Sequence, residues 1–175
     1  RPALGWPEEH GGRGLTVAHR VAFYEEYAKA DAPDKVNHFG EELLGPTLIA
    51  YGTPEQQQRF LPGILDVTEL WSQGYSEPGA GSDLANIKTT ARLEGEGDDA
   101  EWVINGQKVW TSLAQWSDWC FVICRVEEGS QRHAGLGVRR RHRQAAREHV
   151  GLGVAHHLGR ARPAQHVHVV VVVAD

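Results

Sequence analysis

A glycine-rich run at residues 73–83 has the composition of a backbone that binds an anion. Its letters are QGYSEPGAGSD, and it follows the apolar segment ELW at residues 69–71. Glycine lets a chain bend sharply, and the backbone N–H groups exposed by such a bend can form a concave site for phosphate. On residue types alone, this interpretation competes with a plain glycine-rich turn that joins two strands.

A second candidate segment lies at residues 105–112, with the letters NGQKVWTS. Each polar or aromatic residue of the two segments also has a purely structural interpretation. Trp110 could be a buried core side chain, and Ser76 and Ser112 could simply satisfy turns. Glu77, between a serine and a proline, could be a solvated carboxylate. Residue types alone leave these alternatives open.

Together the two segments resemble the flavin-binding motifs of the acyl-CoA dehydrogenase family. Members of that family carry a loop reading TEPGAGSD or SEPGAGSD, followed by an NGxKxW element that ends in threonine or serine. The resemblance extends from about residue 4 to residue 136. It includes the further stretches GWPEEHGG at 5–12, LGPT through YGTPEQ at 44–56, and FLPGI at 60–64. Five motifs in the family's order make the resemblance specific.

The resemblance implies an FAD cofactor. Tyr75 and Ser76 take positions whose backbone and hydroxyl groups hydrogen-bond the flavin pyrimidine, where donors stabilise the negative charge of the reduced ring. Ser82 takes a position that contacts the FAD pyrophosphate and borders the path of the acyl-CoA substrate.

The second segment supplies the rest of the implied flavin site. Trp110, followed by Thr111, takes the position that lies against the isoalloxazine ring. Ser112 stands near flavin N5, where the family usually has threonine, so a hydroxyl is retained. The expected cofactor-binding residues are Tyr75, Ser76, Ser82, Trp110, Thr111 and Ser112, and Ser82 is also expected to bind substrate.

The family reaction is the α,β-dehydrogenation of acyl-CoA thioesters. A glutamate removes the α-proton while the β-hydride moves to flavin N5, and that glutamate comes from a C-terminal helical domain. No stretch of this sequence corresponds to that domain, and Glu77 matches a motif residue with no role in proton transfer. No catalytic residue is therefore assigned, and the chain alone is expected to be inactive and colourless when purified.

The resemblance also implies partners. A full-length relative would form a homo- or hetero-oligomer and pass electrons to an electron-transfer flavoprotein. The letters at residues 71–76 and 108–116 are similar to a bacterial branch that acts on unusual acyl-CoAs, including steroid side chains. The alternative is a non-catalytic truncated subunit, or a pseudoenzyme, that acts only by binding a partner.

Helices are predicted in the first part of the chain. Thr16 can cap a helix that runs to about Ala30, with Val17, Val21, Tyr24 and Ala28 on one face. A second helix is predicted over Glu41–Tyr51 and ends at Gly52. The letters TPEQ at residues 53–56 form a capping box with proline at the first helical position, which predicts the start of a third helix.

Short segments rich in β-branched and aromatic residues follow. We predict strands at residues 71–76, 88–94, 101–105, 107–112 and 118–126. Asn105 and Gly106 are a strong signal for a hairpin between two of these strands, and Trp116 and Trp119 are expected to pack inside the sheet domain.

This order of elements predicts an α+β fold. It matches a partial N-terminal helical domain at residues 1–66 and a partial antiparallel β-barrel middle domain at 67–136, with the C-terminal helical bundle absent.

The composition is that of an ordinary globular protein. The chain has 175 residues, 41% hydrophobic residues and a net charge of −5, which gives no reason to expect nucleic acid as a partner. No signal peptide or membrane span is predicted. Cys120 and Cys124 would lie about 13 Å apart on one strand face, too far for a disulfide, which favours free thiols and a cytoplasmic location. Because the chain has no methionine, it is expected to be a piece of a longer protein.

Residues 137–175 differ in composition from the rest. They hold seven of the arginines and six of the ten histidines, but no lysine or aromatic residue. We expect an out-of-frame sequence, with a basic disordered tail as the second interpretation. The third interpretation is a metal site at His156, His157, His166 and His168. It is disfavoured because no Cys, Asp or Glu between these histidines and Asp175 completes a ligand set.

Overall fold

The computed structural model describes residues 3–94, 101–125 and 168–172, the last as backbone only. The chain divides into two compact units, Arg1–Leu70 and Trp71–Asp175. The first is helical and the second holds the strands, so the prediction of an α+β order is confirmed. The last helix of the first unit ends at Asp66, and the expected domain bounds stay a prediction.

Helix α1 spans Val17–Lys29, and the Thr16 side chain accepts a hydrogen bond from the His19 N–H as predicted. The predicted apolar face does not form a core contact, since Val17 and Val21 are 72% and 52% exposed. The helix is instead held by polar side chains, and Tyr24 donates to Glu42. The spacing of hydrophobic residues predicted the position of α1 in the chain, but it did not predict which side of α1 contacts the rest of the unit.

A group of charged side chains joins α1 to the next helical segment. The Lys35 ammonium lies 2.8 Å from Glu41 Oε1 and 2.9 Å from Glu42 Oε1, and it also donates to Tyr24. Arg20 completes the group by donating to Glu42. Burial alone would lower the pKa of Lys35, but its hydrogen bonds to Glu41, Tyr24 and Glu42 raise it above the ordinary value.

The predicted second helix is present in two parts. A π-helical segment, Phe39–Leu44, leads into α2 at Gly45–Tyr51, which ends before Gly52 as predicted. The Trp6 indole N–H donates to the Glu41 carbonyl at 2.9 Å. A Cβ atom at Gly45 would lie 1.8 Å from Cζ2 of that indole, so only glycine allows the ring to pack against α2.

Helix α3 spans Pro54–Asp66, and its predicted capping box is confirmed in both directions between Thr53 and Gln56. The Gln57 side-chain amide donates to the carbonyls of Leu48, Ile49 and Gly52 and so satisfies the C-terminal end of α2. The helical unit closes over a core of buried apolar side chains: Ala3, Leu4, Trp6, Phe39, Leu44, Leu48, Phe60, Leu61 and Ile64.

The second unit contains two sheets. Strands β1 (Trp71–Gly74), β4 (Trp119–Ile123) and β5 (His168–Val172) form one sheet in the order β1–β4–β5. Strands β2 (Thr90–Glu94) and β3 (Glu101–Asn105) form a second sheet. Both cysteines are free, as predicted, and they are buried.

The prediction of antiparallel pairing is correct for only one sheet. β2 and β3 are antiparallel, but β1 pairs parallel with β4 and β4 pairs parallel with β5. Parallel strands need a long connection, and residues 75–118 provide one between β1 and β4. The connection contains residues 75–83 of the first segment singled out from the sequence and all of the second.

The predicted strand at 107–112 is absent, and the predicted hairpin at Asn105 and Gly106 with it. β3 pairs with β2, which precedes it, and residues 107–110 form no strand. A Cβ atom at Gly106 would lie 2.2 Å from Thr89 Oγ1, so glycine at this position lets the backbone pass close to Thr89. The alternation of residue types at 107–112 predicted a strand, and it could not show that these residues contact the loop at residues 75–77 instead.

Residues 137–175 lie outside the described part of the chain, apart from the backbone of β5. The expectation of an out-of-frame or disordered tail therefore stays a prediction, and His156, His157 and His166 fall outside the described residues. Among the described residues, no helix has the length and apolar character needed to cross a membrane.

Gly45→Ala should destabilise the helical unit by about 1–3 kcal/mol, because the new methyl group overlaps the Trp6 ring. Urea unfolding followed by far-UV circular dichroism measures the effect. Trp6→Leu combined with Gly45→Ala should cost less than the sum of the two single changes, because the overlap is then relieved. Additive costs would show that Gly45 and Trp6 do not interact.

Candidate functional site

Glu77 is at the centre of the glycine-rich segment and is buried, with 8% of its surface exposed. The interpretation of Glu77 as a solvated carboxylate is therefore wrong. Its carboxylate accepts from the backbone N–H groups of Lys88 and Thr89 at 2.6 and 3.0 Å, and from the Lys108 ammonium at 2.8 Å. Three donors compensate for the loss of water around the charge.

Lys108 connects the two segments. Its ammonium donates to the Tyr75 carbonyl at 3.0 Å as well as to Glu77, and the two side chains of the ion pair are only 5% and 6% exposed. The Val109 N–H donates to the Ser76 carbonyl at 2.9 Å beside this pair. The structure thus brings the predicted residues Tyr75 and Ser76 next to the start of the second segment.

The pKa of Glu77 reflects these contacts. Burial by itself would raise it, but the hydrogen bonds from Lys108, Thr89 and Lys88 outweigh burial and hold the pKa below its ordinary value. The carboxylate is therefore charged at neutral pH and acts as an acceptor. Burial also raises the pKa of Tyr75, whose ring packs edge-on against Phe121 at 5.4 Å between centroids.

The loop beyond Glu77 is a tight turn. Glu77 and Ala80 exchange two backbone hydrogen bonds, of 2.8 and 3.1 Å, around Pro78 and Gly79. The Asn86 side chain braces the turn by donating to the Gly79 carbonyl at 3.4 Å.

Gly79 and Gly81 leave space above the turn. Apart from the adjoining residues, no atom of the described part of the chain lies within 4 Å of a Cβ atom built at either glycine, and neither has the left-handed backbone that would itself demand glycine. Ser82 is exposed just beyond them. The described protein gives no reason for glycine at either position, whereas a group approaching the backbone closely would give one. This open surface fits a pyrophosphate.

Trp110 presents its ring to solvent. The side chain is 86% exposed, so the interpretation as a buried core tryptophan is wrong. Its φ of 57° lies in the left-handed region, which is costly for a bulky residue, and Leu113 has a φ of 65°. Such strain is concentrated at binding sites, and the exposed ring is accessible to a planar ligand.

The remaining expected residues flank Trp110. Thr111 is half-buried and opens the turn that follows, and Ser112 is exposed and donates its N–H to the Trp110 carbonyl at 2.9 Å. Trp116 is 65% exposed, which corrects the expectation that it packs inside the domain. Trp119 does pack, with its ring stacked on Trp71 at 5.6 Å.

Sequence reasoning missed the roles of Lys108 and Glu77. The letters around residue 108 carried no signal for them, because the contact joins residues that are 31 positions apart. Among the described residues, no group of three or more His, Cys, Asp or Glu side chains is placed to hold a metal ion.

Glu77→Gln should destabilise the second unit by about 3 kcal/mol at pH 7, because it leaves the Lys108 charge buried without a partner. Since the pKa of Glu77 is lowered by folding, its contribution is fully present above its ordinary value of 4.5 and is lost as pH falls through the folded value. The gap between wild type and variant should therefore narrow in acid.

Urea unfolding at several pH values, followed by near-UV circular dichroism, measures that gap. Glu94→Gln changes an exposed glutamate on β2 and should leave stability within about 0.5 kcal/mol of wild type. A gap between wild type and Glu77→Gln that stayed constant with pH would show that the Glu77 charge does not contribute.

The chain is similar in sequence and in fold to several known proteins. Acyl-CoA dehydrogenase IpdE1 of Mycobacterium tuberculosis is 80% identical over 133 residues, which are 76% of this chain and 34% of the relative. The solved structure described as "Tcur3481-Tcur3483 steroid ACAD" is 39% identical with a TM-score of 0.65, covering 75% of this chain and 33% of that one. The ChsE4-ChsE5 complex from Mycobacterium tuberculosis is 46% identical with a TM-score of 0.63, covering 72% and 32%.

The chain spans about a third of the length of the curated relatives it matches. Two family models match nearly all of it. The acyl-CoA dehydrogenase N-terminal domain matches residues 2–68, and the acyl-CoA dehydrogenase middle domain matches residues 72–172. The second match alone covers more than half of the chain, and the chain therefore belongs to the acyl-CoA dehydrogenase family.

Proposed function

We propose that residues 75–82 and 109–112 form part of the FAD site of a dehydrogenase that acts on acyl-CoA thioesters. The observation that carries the proposal is the Lys108 ammonium, which holds the Tyr75 carbonyl and Glu77 and so joins the two segments. The open backbone at Gly79 and Gly81 supports it, because a pyrophosphate needs such access.

Each expected residue has a role in this proposal. Tyr75 and Ser76 would hydrogen-bond the flavin pyrimidine, and Ser82 would contact the pyrophosphate and border the acyl-CoA path. Trp110 and Thr111 would cover one face of the flavin ring, and Ser112 would lie near N5. Bound FAD would supply the acceptor for the hydride that leaves the substrate β-carbon.

The family context supports further parts of the proposal. The middle domain would be a β-barrel to which the two described sheets contribute, and the whole protein would work in the cytoplasm as a homo- or hetero-oligomer. Relatives described as a steroid acyl-CoA dehydrogenase and as the ChsE4-ChsE5 complex favour a steroid-type acyl-CoA and a heteromeric assembly. A neighbouring structure described as an electron transferring flavoprotein accords with such a protein as electron acceptor.

We also propose that this stretch of the protein binds but does not catalyse. The general base of the family would come from a C-terminal helical domain, to which none of the matched residues corresponds. The relatives reported above include a named acyl-CoA dehydrogenase and a steroid-type enzyme, and they give no support to a non-catalytic subunit.

Adding FAD to the isotopically labelled chain should shift the backbone amide signals of Tyr75, Ser76 and Ser82 and the indole signal of Trp110. The exposed Trp116 lies outside the proposed site, and its indole signal should stay in place. Nuclear magnetic resonance titration measures these shifts. Shifts confined to other residues, or none at saturating FAD, would contradict the proposed site.

Gly81→Val should weaken FAD binding by about tenfold or more, because its side chain enters the space left for the pyrophosphate. The same variant should unfold at the wild-type urea concentration, because no described residue other than the two chain neighbours has an atom within 4 Å of that Cβ position. Equilibrium dialysis against FAD measures the affinity. Unchanged affinity in the folded variant would show that FAD does not approach Gly81.

A further inference from the structure

The Lys108 ammonium, the Tyr75 carbonyl and the Glu77 carboxylate form a buried three-group contact, called here the clamp. We propose that Lys108 is a positioning residue of the flavin site, which through the clamp holds residues 75–82 beside residues 109–112 before any ligand binds. The identity of the ligand rests on the proposed function, whereas the clamp rests on distances between protein atoms alone.

The ammonium is placed to organise protein groups and not to meet an anionic ligand. Its side chain is 5% exposed, and its charge is paired with Glu77 at 2.8 Å. A lysine that bound a phosphate would need its ammonium at the open surface, where Gly79 and Gly81 lie. The Lys108 ammonium instead donates to the Tyr75 carbonyl at 3.0 Å, and Tyr75 is the first residue of the loop.

The position suits lysine specifically. The side-chain stem runs over Gly74 of β1, where a Cβ atom would lie 3.5 Å from Lys108 Cγ and 3.1 Å from Val122 Cγ2. One ammonium then reaches a carbonyl and a carboxylate from a single nitrogen. The planar, forked guanidinium of arginine is larger and presents its donors in fixed directions, so an arginine in place of Lys108 would not reproduce both contacts over the same stem.

The clamp also accounts for the strained backbone that follows it. Trp110 lies two residues after Lys108 and has a φ of 57°. A left-handed conformation of a bulky residue persists only where the surrounding structure imposes it. Lys108 and the adjacent bond from the Val109 N–H to the Ser76 carbonyl fix the chain immediately before Trp110. The clamp would thereby hold Trp110 in the conformation in which its ring is exposed.

Hydrogen exchange of the full chain without FAD tests the proposal. In Lys108→Met, the amides of Val109 and Ala80 should exchange about tenfold faster or more, while those of Phe121 and Val122 in β4 keep their protection. Lys108→Arg should not restore slow exchange at Val109. Lys88→Met is the matched control, because its side chain is exposed and only its backbone N–H contacts Glu77.

Wild-type exchange at Val109 and Ala80 in a folded Lys108→Met variant would overturn the proposal. If Lys108→Met loses protection in β4 as well, the double variant Glu77→Gln/Lys108→Met removes both charges and leaves none buried alone. In that double variant, fast exchange at Val109 and Ala80 with a protected β4 supports the clamp, and slow exchange at both overturns it.

Parallel dialysis against FAD separates the clamp from the proposed function. A wild-type chain that binds no FAD, but whose loop loses protection in Lys108→Met, contradicts the function and supports the clamp. A chain that binds FAD with equal affinity in wild type and Lys108→Met, at unchanged loop exchange, supports the function and overturns the clamp. Weaker FAD binding together with faster loop exchange supports both.

Discussion

The buried ion pair between Glu77 and Lys108 is the contact on which the arrangement of the second unit depends. Two charges that are almost fully removed from water are costly, and their attraction offsets the cost only when further hydrogen bonds complete both groups. Here Glu77 accepts three hydrogen bonds and Lys108 donates to a second acceptor. The requirement for all of these contacts at once fixes the loop, residues 88–89 before β2, and residue 108 in one geometry.

The neighbouring backbone follows from that constraint. Lys108 contacts Tyr75 and Glu77, and residues 107–110 do not extend as a strand beside β3. Among the described residues, β3 pairs with β2. Gly106 allows the chain to pass Thr89 closely on its way. The segment then reaches Trp110 in a left-handed conformation with its ring exposed, which the proposed flavin site requires.

The helical unit also contains a lysine whose contacts with carboxylates join two segments of the chain. Hydrophobic burial is non-directional, and the exposed Val17 and Val21 show that it does not fix the orientation of α1. The orientation follows from directional contacts of Lys35, Glu42 and Tyr24. In both units a largely buried lysine contacts a carboxylate and an oxygen atom of a tyrosine.

The sequence by itself determined the family, the α+β order and the local elements. The Thr16 cap, the Thr53–Gln56 capping box and the ends of the helices are short-range features, because they depend on residues three or four positions apart. The flavin motifs were recognisable for the same reason, as each is a contiguous run of residues.

The tertiary structure alone decided the parallel pairing of β1 with β4, the absence of the predicted hairpin, and the burial of Glu77. It also decided that Trp110 is exposed. Each of these depends on residues far apart in the chain, such as Glu77 and Lys108, which are 31 positions apart. Only the folded chain shows that Lys108 is buried and that the Glu77 carboxylate compensates its charge, and this pairing holds the two segments together.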